Sequence, residues 1–158
     1  MAVVWGGSVL SSASTGTNGE LSLFASTDKS TYRIGEPVVY IILVRNESQA
    51  SLLVNTRLLV NYDETFPHEI LLDVTGPDGI ERKLVPIITA AEPVENDFSI
   101  LEAGSFFLKE LYLNPLFDLA MPGAYSIEAT YENHFAPEGL SPWTGVLYSN
   151  PVTITLTE

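Results

Sequence analysis

From position 125 to 131 apolar and polar residues alternate without a break: Tyr125, Ile127, Ala129 and Tyr131 interleave with Ser126, Glu128 and Thr130. A period of two places the first set on one face of an extended strand and the second on the other. The same grammar recurs along the chain. Residues 20–27 carry Leu21 and Leu23 on one face, and residues 105–113 set Phe107, Lys109 and Leu111 against Phe106, Leu108, Glu110 and Tyr112. Residues 36–45 are largely apolar on both faces, which predicts a central, covered strand. Residues 69–75 and 81–88 flank Gly76-Pro77-Asp78-Gly79, where Pro presets φ and Gly supplies a positive φ, so the pair predicts a hairpin. Residues 51–62 and 146–156 read as further strands, while residues 114–121 hold one helical turn before Pro122-Gly123. Short strands punctuated by turn residues predict an all-β antiparallel β-sandwich of about seven to nine strands over residues 20–158.

The composition restricts what such a sandwich does. At 158 residues the chain makes one domain, and its 46% apolar content suits a packed core. Seven basic residues against twenty acidic ones give a net charge of −13, which repels phosphate backbones and argues against nucleic acid as a partner. There is no cysteine, so disulfides, thiolate metal sites and cysteine nucleophiles are excluded together. No stretch reaches the roughly 18 apolar residues that a membrane-spanning helix needs, so no membrane insertion is expected.

Ahead of the sandwich, residues 1–19 read MAVVWGGSVLSSASTGTNG. The first basic residue is Lys29, and Gly6 and Gly7 interrupt the apolar run, so this stretch is not expected to be a secretory signal. It reads as a strand-forming arm, residues 2–10, joined by a Ser/Thr/Gly linker. Three fates stay open: pairing with the edge of its own sheet, pairing with a neighbour's sheet, or remaining disordered.

Tyr32-Arg33-Ile34-Gly35-Glu36-Pro37-Val38, a strand and then Asn46 resemble the Y-x-x-G-E-x-V…N opening of many bacterial immunoglobulin-like modules. Leu101-Glu102-Ala103-Gly104, a strand, and then residues 117–127 are similar to an L-x-x-G…Y-D-L…G-x-Y-x-V pattern. That pattern belongs to BsuPI-type intracellular proteinase inhibitors and to the non-catalytic N-terminal domain of deuterolysin and peptidyl-Lys metalloendopeptidases. The resemblance implies an immunoglobulin-like sandwich and specifies no site. Gly123-x-Tyr125 sits where a tyrosine corner belongs, with the ring buried and the hydroxyl bonded to nearby backbone.

Catalytic signatures are missing. His68-Glu69-Ile70-Leu71-Leu72 has leucine where a zinc-protease helix needs its second histidine, and its run is strand-like. No nucleophile elbow, phosphate loop or dinucleotide fingerprint occurs. Glu132, Glu138 and Asp97 are candidate carboxylates only by their loop placement; Glu95-Asn96-Asp97 offers the oxygen ligands that calcium takes from loops, without EF-hand spacing to support it, and calcium binding there stays open. Asn46-Glu47-Ser48 forms a glycosylation sequon. The loop 133–143 gathers Phe135, Leu140 and Trp143 between two strands, a composition fit for a binding surface or for plugging the sandwich end.

The expectation is a non-catalytic protein-interaction or assembly module, not an enzyme, with no cofactor and no metal, on a cell surface or outside the cell, the cytoplasm being the alternative. Its partner would be another protein or a second copy, engaged by β-strand addition through Val3, Trp5 and Val9 or through Phe135, Leu140 and Trp143. The alternative is a protease inhibitor or protease-associated regulatory domain, with the loop 133–143 as its inhibitory segment.

Overall fold

The computed structural model describes residues 14–15, 19–60, 68–85 and 91–158. Among them twelve strands form: β1 (Ser14–Thr15), β2 (Leu21–Thr27), β3 (Thr31–Arg33), β4 (Val39–Asn46), β5 (Leu52–Asn55), β6 (Ile70–Thr75), β7 (Glu81–Arg82), β8 (Phe98–Leu101), β9 (Phe106–Tyr112), β10 (Gly123–Asn133), β11 (Gly145–Tyr148) and β12 (Val152–Thr157). One sheet runs β1-β2-β4-β9; the other runs β3-β12-β10-β6-β7, with β11 also on β10. Their facing rows, Leu21, Leu23, Tyr40, Ile42 and Val44 from one and Ile70, Val74, Tyr125, Ile127 and Ile154 from the other, are buried together. The chain crosses to the other sheet after β2 ends at residue 27, and β3 then pairs in parallel with β12. That switch, with the β2-β4-β9 and β12-β10-β6 groupings, gives the sandwich its immunoglobulin-like layout.

The predicted alternation decides the register. Tyr125, Ile127, Ala129 and Tyr131 all point into the core, while Ala124, Ser126 and Glu128 face out. Tyr125 is fully buried and its hydroxyl donates to Met121 O at 2.9 Å, which is the tyrosine corner. The turn at residues 76–79 packs against the start of β10, where Gly123 has φ 132° and a Cβ would stand 2.5 Å from Pro77 Cβ.

Several boundaries differ from the sequence expectation. The strand count exceeds the predicted seven to nine because β1, β3 and β7 are only two or three residues long. The strand expected over 51–62 stops at Asn55, since Leu58 takes a left-handed φ of 50° and turns the chain. The strand expected over 81–88 stops at Arg82, beyond which Leu84 turns into the core and Val85 N–H donates to Leu116 O. The expected 146–156 strand breaks at Ser149-Asn150-Pro151 into β11 and β12. β4 is central, lying between β2 and β9, but only one of its faces is covered: Tyr40, Ile42 and Val44 are buried, while Val39, Ile41 and Leu43 stay partly exposed among the described residues.

β5 and β8 pair with each other across the end of the sandwich where β4 and β10 finish. Asn46 pins this end. Its Nδ2 donates to Ala50 O at 2.7 Å and Leu101 O at 2.9 Å, and its Oδ1 accepts from Ser48. The sequon asparagine is therefore fully buried and engaged, and in the folded domain it offers no glycosylation site.

Candidate interaction surface

Strand β9 sets the character of the sheet it closes. Its inward row is Phe107, Lys109 and Leu111; its outward row is Phe106, Leu108, Glu110 and Tyr112. The more apolar row faces out: Phe106, Leu108 and Tyr112 are 56%, 51% and 55% exposed. Hydrophobic patterning alone selects the opposite orientation, because burying Phe106, Leu108 and Tyr112 removes more apolar surface from water. Two interactions oppose that choice. Leu111 is buried and Phe107 packs against the core, while the Lys109 ammonium donates to Leu58 O at 2.8 Å and to Arg57 O at 3.3 Å. Burial lowers the Lys109 pKa, and the charge of Glu69 opposes the shift.

The outward rows of the neighbouring strands extend the apolar surface. Cross-strand pairing places Leu43 beside Leu108 and Phe24 beside Leu43, so one row reads Phe24-Leu43-Leu108 across three strands. The flanking rows set Ile41 beside Glu110 and Arg45 beside Phe106, and beyond Ile41 comes Val39 beside Tyr112. The outward row of β9 carries one carboxylate, Glu110, and among the described residues no strand pairs with the outer edge of β9.

The positions singled out from the sequence distribute differently. Val3, Trp5 and Val9 lie outside the described residues. Phe135 and Leu140 are half-buried. Trp143 is 5% exposed and stacks on Tyr131 with ring centroids 5.8 Å apart, so it closes the sandwich end and is not available as a surface anchor. Asn133 ties the loop down, donating to Phe135 O at 3.1 Å and Trp143 O at 2.7 Å. Sequence reasoning missed the apolar row of β9 as a surface: its residues were visible, but only the structure decides which row faces out.

The two histidines, 66 positions apart in the sequence, converge on one carboxylate. His68 Nε2 lies 2.7 Å from Glu132 Oε1, and His134 Nε2 lies 3.5 Å from Glu132 Oε2. Among the described residues no group of three or more His, Asp and Glu side chains is spaced to hold a metal ion. Asp97 Oδ2 accepts from Val94 N–H at 2.8 Å, closing a short 3-10 turn, and Glu138 is exposed. A depression of about 490 Å³ is lined by Asp78, Arg82, Asp118, Ala120, Met121 and Tyr125. Its one cation, Arg82, is paired with Asp78 at 2.9 Å and lies over the Tyr125 ring.

Comparison with protein-family models and with curated proteins finds no match. Among the described residues no helix is long and apolar enough to cross a membrane.

Proposed function

We propose that this sandwich is a non-catalytic interaction module that associates through the outer face of the β1-β2-β4-β9 sheet. The observation that carries the reading is the orientation of β9, which turns Phe106, Leu108 and Tyr112 to solvent while keeping Lys109 inside. A lysine held inward against two carbonyls costs desolvation, and its consequence is an apolar outer row that a partner can cover. The arm is the matching element: residues 2–10 carry Val3, Val4, Trp5, Val9 and Leu10 with no charge. Strand addition would let backbone hydrogen bonds supply the hold and alternate side chains the fit.

The test is removal of residues 1–12, which leaves β1 and the sandwich intact, followed by sedimentation velocity over a hundredfold concentration range. The full chain is expected to show concentration-dependent species larger than a monomer, and the truncated chain a monomer with unchanged far-UV circular dichroism. A full chain that stays monomeric throughout removes the self-assembly reading, and larger species that persist without the arm remove its role.

A further inference from the structure

The two edges of the same sheet are unequal, and the inequality specifies how copies would join. In β2 the odd-numbered residues direct their backbone groups away from β4. β1 occupies the position at Leu23, with Ser14 opposite it. The next, Ala25, is taken by a side chain: Ala25 N–H donates to Asn150 Oδ1 at 3.1 Å, and Asn150 Nδ2 donates to Ala25 O at 3.0 Å. The carboxamide thus stands in for a strand residue, and it is buried. Any segment continuing N-terminally from β1 along β2 meets an edge whose donor and acceptor are already used.

At the far edge, the described residues place no strand beside β9. Leu113 N–H donates to Val38 O, and Ser105 O accepts from Asn46 N–H, so odd-numbered residues of this segment face β4. By the alternation of an antiparallel ladder, Phe106, Leu108, Glu110 and Tyr112 direct their N–H and C=O groups outward. Among the described residues no strand pairs with them. An inward lysine can protect an edge strand from unwanted pairing, but the Lys109 ammonium is committed to the carbonyls of Arg57 and Leu58.

Resting on the assembly reading above, we propose that the arm of one copy adds as a strand to the β9 edge of the next, and that its apolar residues cover the outer row Phe106, Leu108 and Tyr112. The occupant follows from where the chain leaves the sheet. Residues 1–13 precede β1, which lies at the edge opposite β9, and beyond β1 the backbone donor and acceptor of Ala25 on β2 are already used by Asn150. Donor and acceptor lie on opposite edges of one sheet, so the contact is head-to-tail, and copies joined this way form an open chain, or a ring where the rotation between them closes.

Two half-competent variants test this. Removing residues 1–12 leaves an acceptor only. Leu108→Lys, and independently Leu108→Pro, leave a donor only; the proline removes an N–H that points away from the ladder, a position where edge strands tolerate it. Each variant is checked for folding by circular dichroism and then run alone and mixed in equal amounts by light scattering after size exclusion. The full chain is expected to form a ladder of sizes, each variant alone a monomer, and the mixture a one-to-one dimer with nothing larger. A full chain limited to a dimer, or a mixture that stays monomeric, overturns the head-to-tail arrangement. Assembly of both Leu108 variants at wild-type levels overturns β9 as the acceptor while the assembly reading stands. Loss of all association in the full chain overturns both.

Discussion

Arg57 closes on Glu69 inside the sandwich, with Nε 3.0 Å from both carboxylate oxygens. Leu59 N–H donates to the same carboxylate at 2.8 Å and Asn55 Nδ2 at 3.2 Å, so a charge with 2% side-chain exposure is surrounded by donors. This ring fixes the left-handed turn at Leu58, because the residues on both sides of it bind one group. Arg57→Ala leaves the carboxylate buried and unpaired and is expected to cost about 3–5 kcal/mol. Arg45→Ala removes a pair at 3.6 Å in which both side chains reach solvent, and its expected cost is below about 1 kcal/mol. Urea unfolding of the two variants measures the contrast, and equal midpoints would refute it.

Two buried tyrosines should respond oppositely to loss of a hydroxyl. The Tyr125 hydroxyl is bonded to Met121 O, so Tyr125→Phe is expected to cost about 1 kcal/mol. The Tyr40 hydroxyl is buried beside Ser149 with no bond of good geometry, since Ser149 Oγ donates to Asn150 O and accepts from Ala129 N–H. Tyr40→Phe removes a stranded polar group and is expected to be neutral or stabilising by up to about 1 kcal/mol. Midpoints at unchanged denaturant slope decide the sign, and a loss at Tyr40 as large as at Tyr125 would contradict the assignment.

Gly145 carries the Trp143 stack. Its φ is 152°, and a Cβ there would lie 2.9 Å from the indole ring. Gly145→Ala therefore combines backbone strain with displacement of Trp143 from Tyr131, at an expected cost of about 1–3 kcal/mol. In a Trp5→Phe background the remaining tryptophan emission reports Trp143 alone. A red shift in the folded variant is expected, and an unchanged spectrum with unchanged stability would show that the ring tolerates a neighbouring methyl.

What the residues announced in advance was set by local period. β10 and β2 were legible because their alternation names both a strand and its inner face. β9 was legible as a strand but not in orientation: the inner row holds Lys109, whose partners at residues 57 and 58 lie about fifty positions away. Asn150 falls inside residues 146–156, which read as one strand, and its role at Ala25, 125 residues earlier, exists only once the sheets stack. Asn46 carried a local motif whose modification reading fails on burial. Periodicity records which face is wet or dry; it does not record which long-range polar partner outweighs it.

Alkaline pH should unfold the domain through its buried phenols. Burial, followed by the hydrogen bond donated to Asp28, raises the Tyr32 pKa to about 12 from an ordinary value of 10.0. Burial also raises Tyr40, and it raises Tyr131 together with the nearby charge of Glu69. Between pH 10 and about 12 the folded chain keeps a Tyr32 proton that the unfolded chain has released. More protons are then bound in the folded state, so the slope of unfolding free energy against pH is negative. The contribution is fully present below pH 10 and is lost as pH rises through about 12. Urea midpoints should hold steady from about pH 8 to 9.5 and fall above 10, with the fall reduced in Tyr32→Phe. Midpoints that stay level to pH 12, or a fall that Tyr32→Phe leaves unaltered, would remove Tyr32 from this linkage.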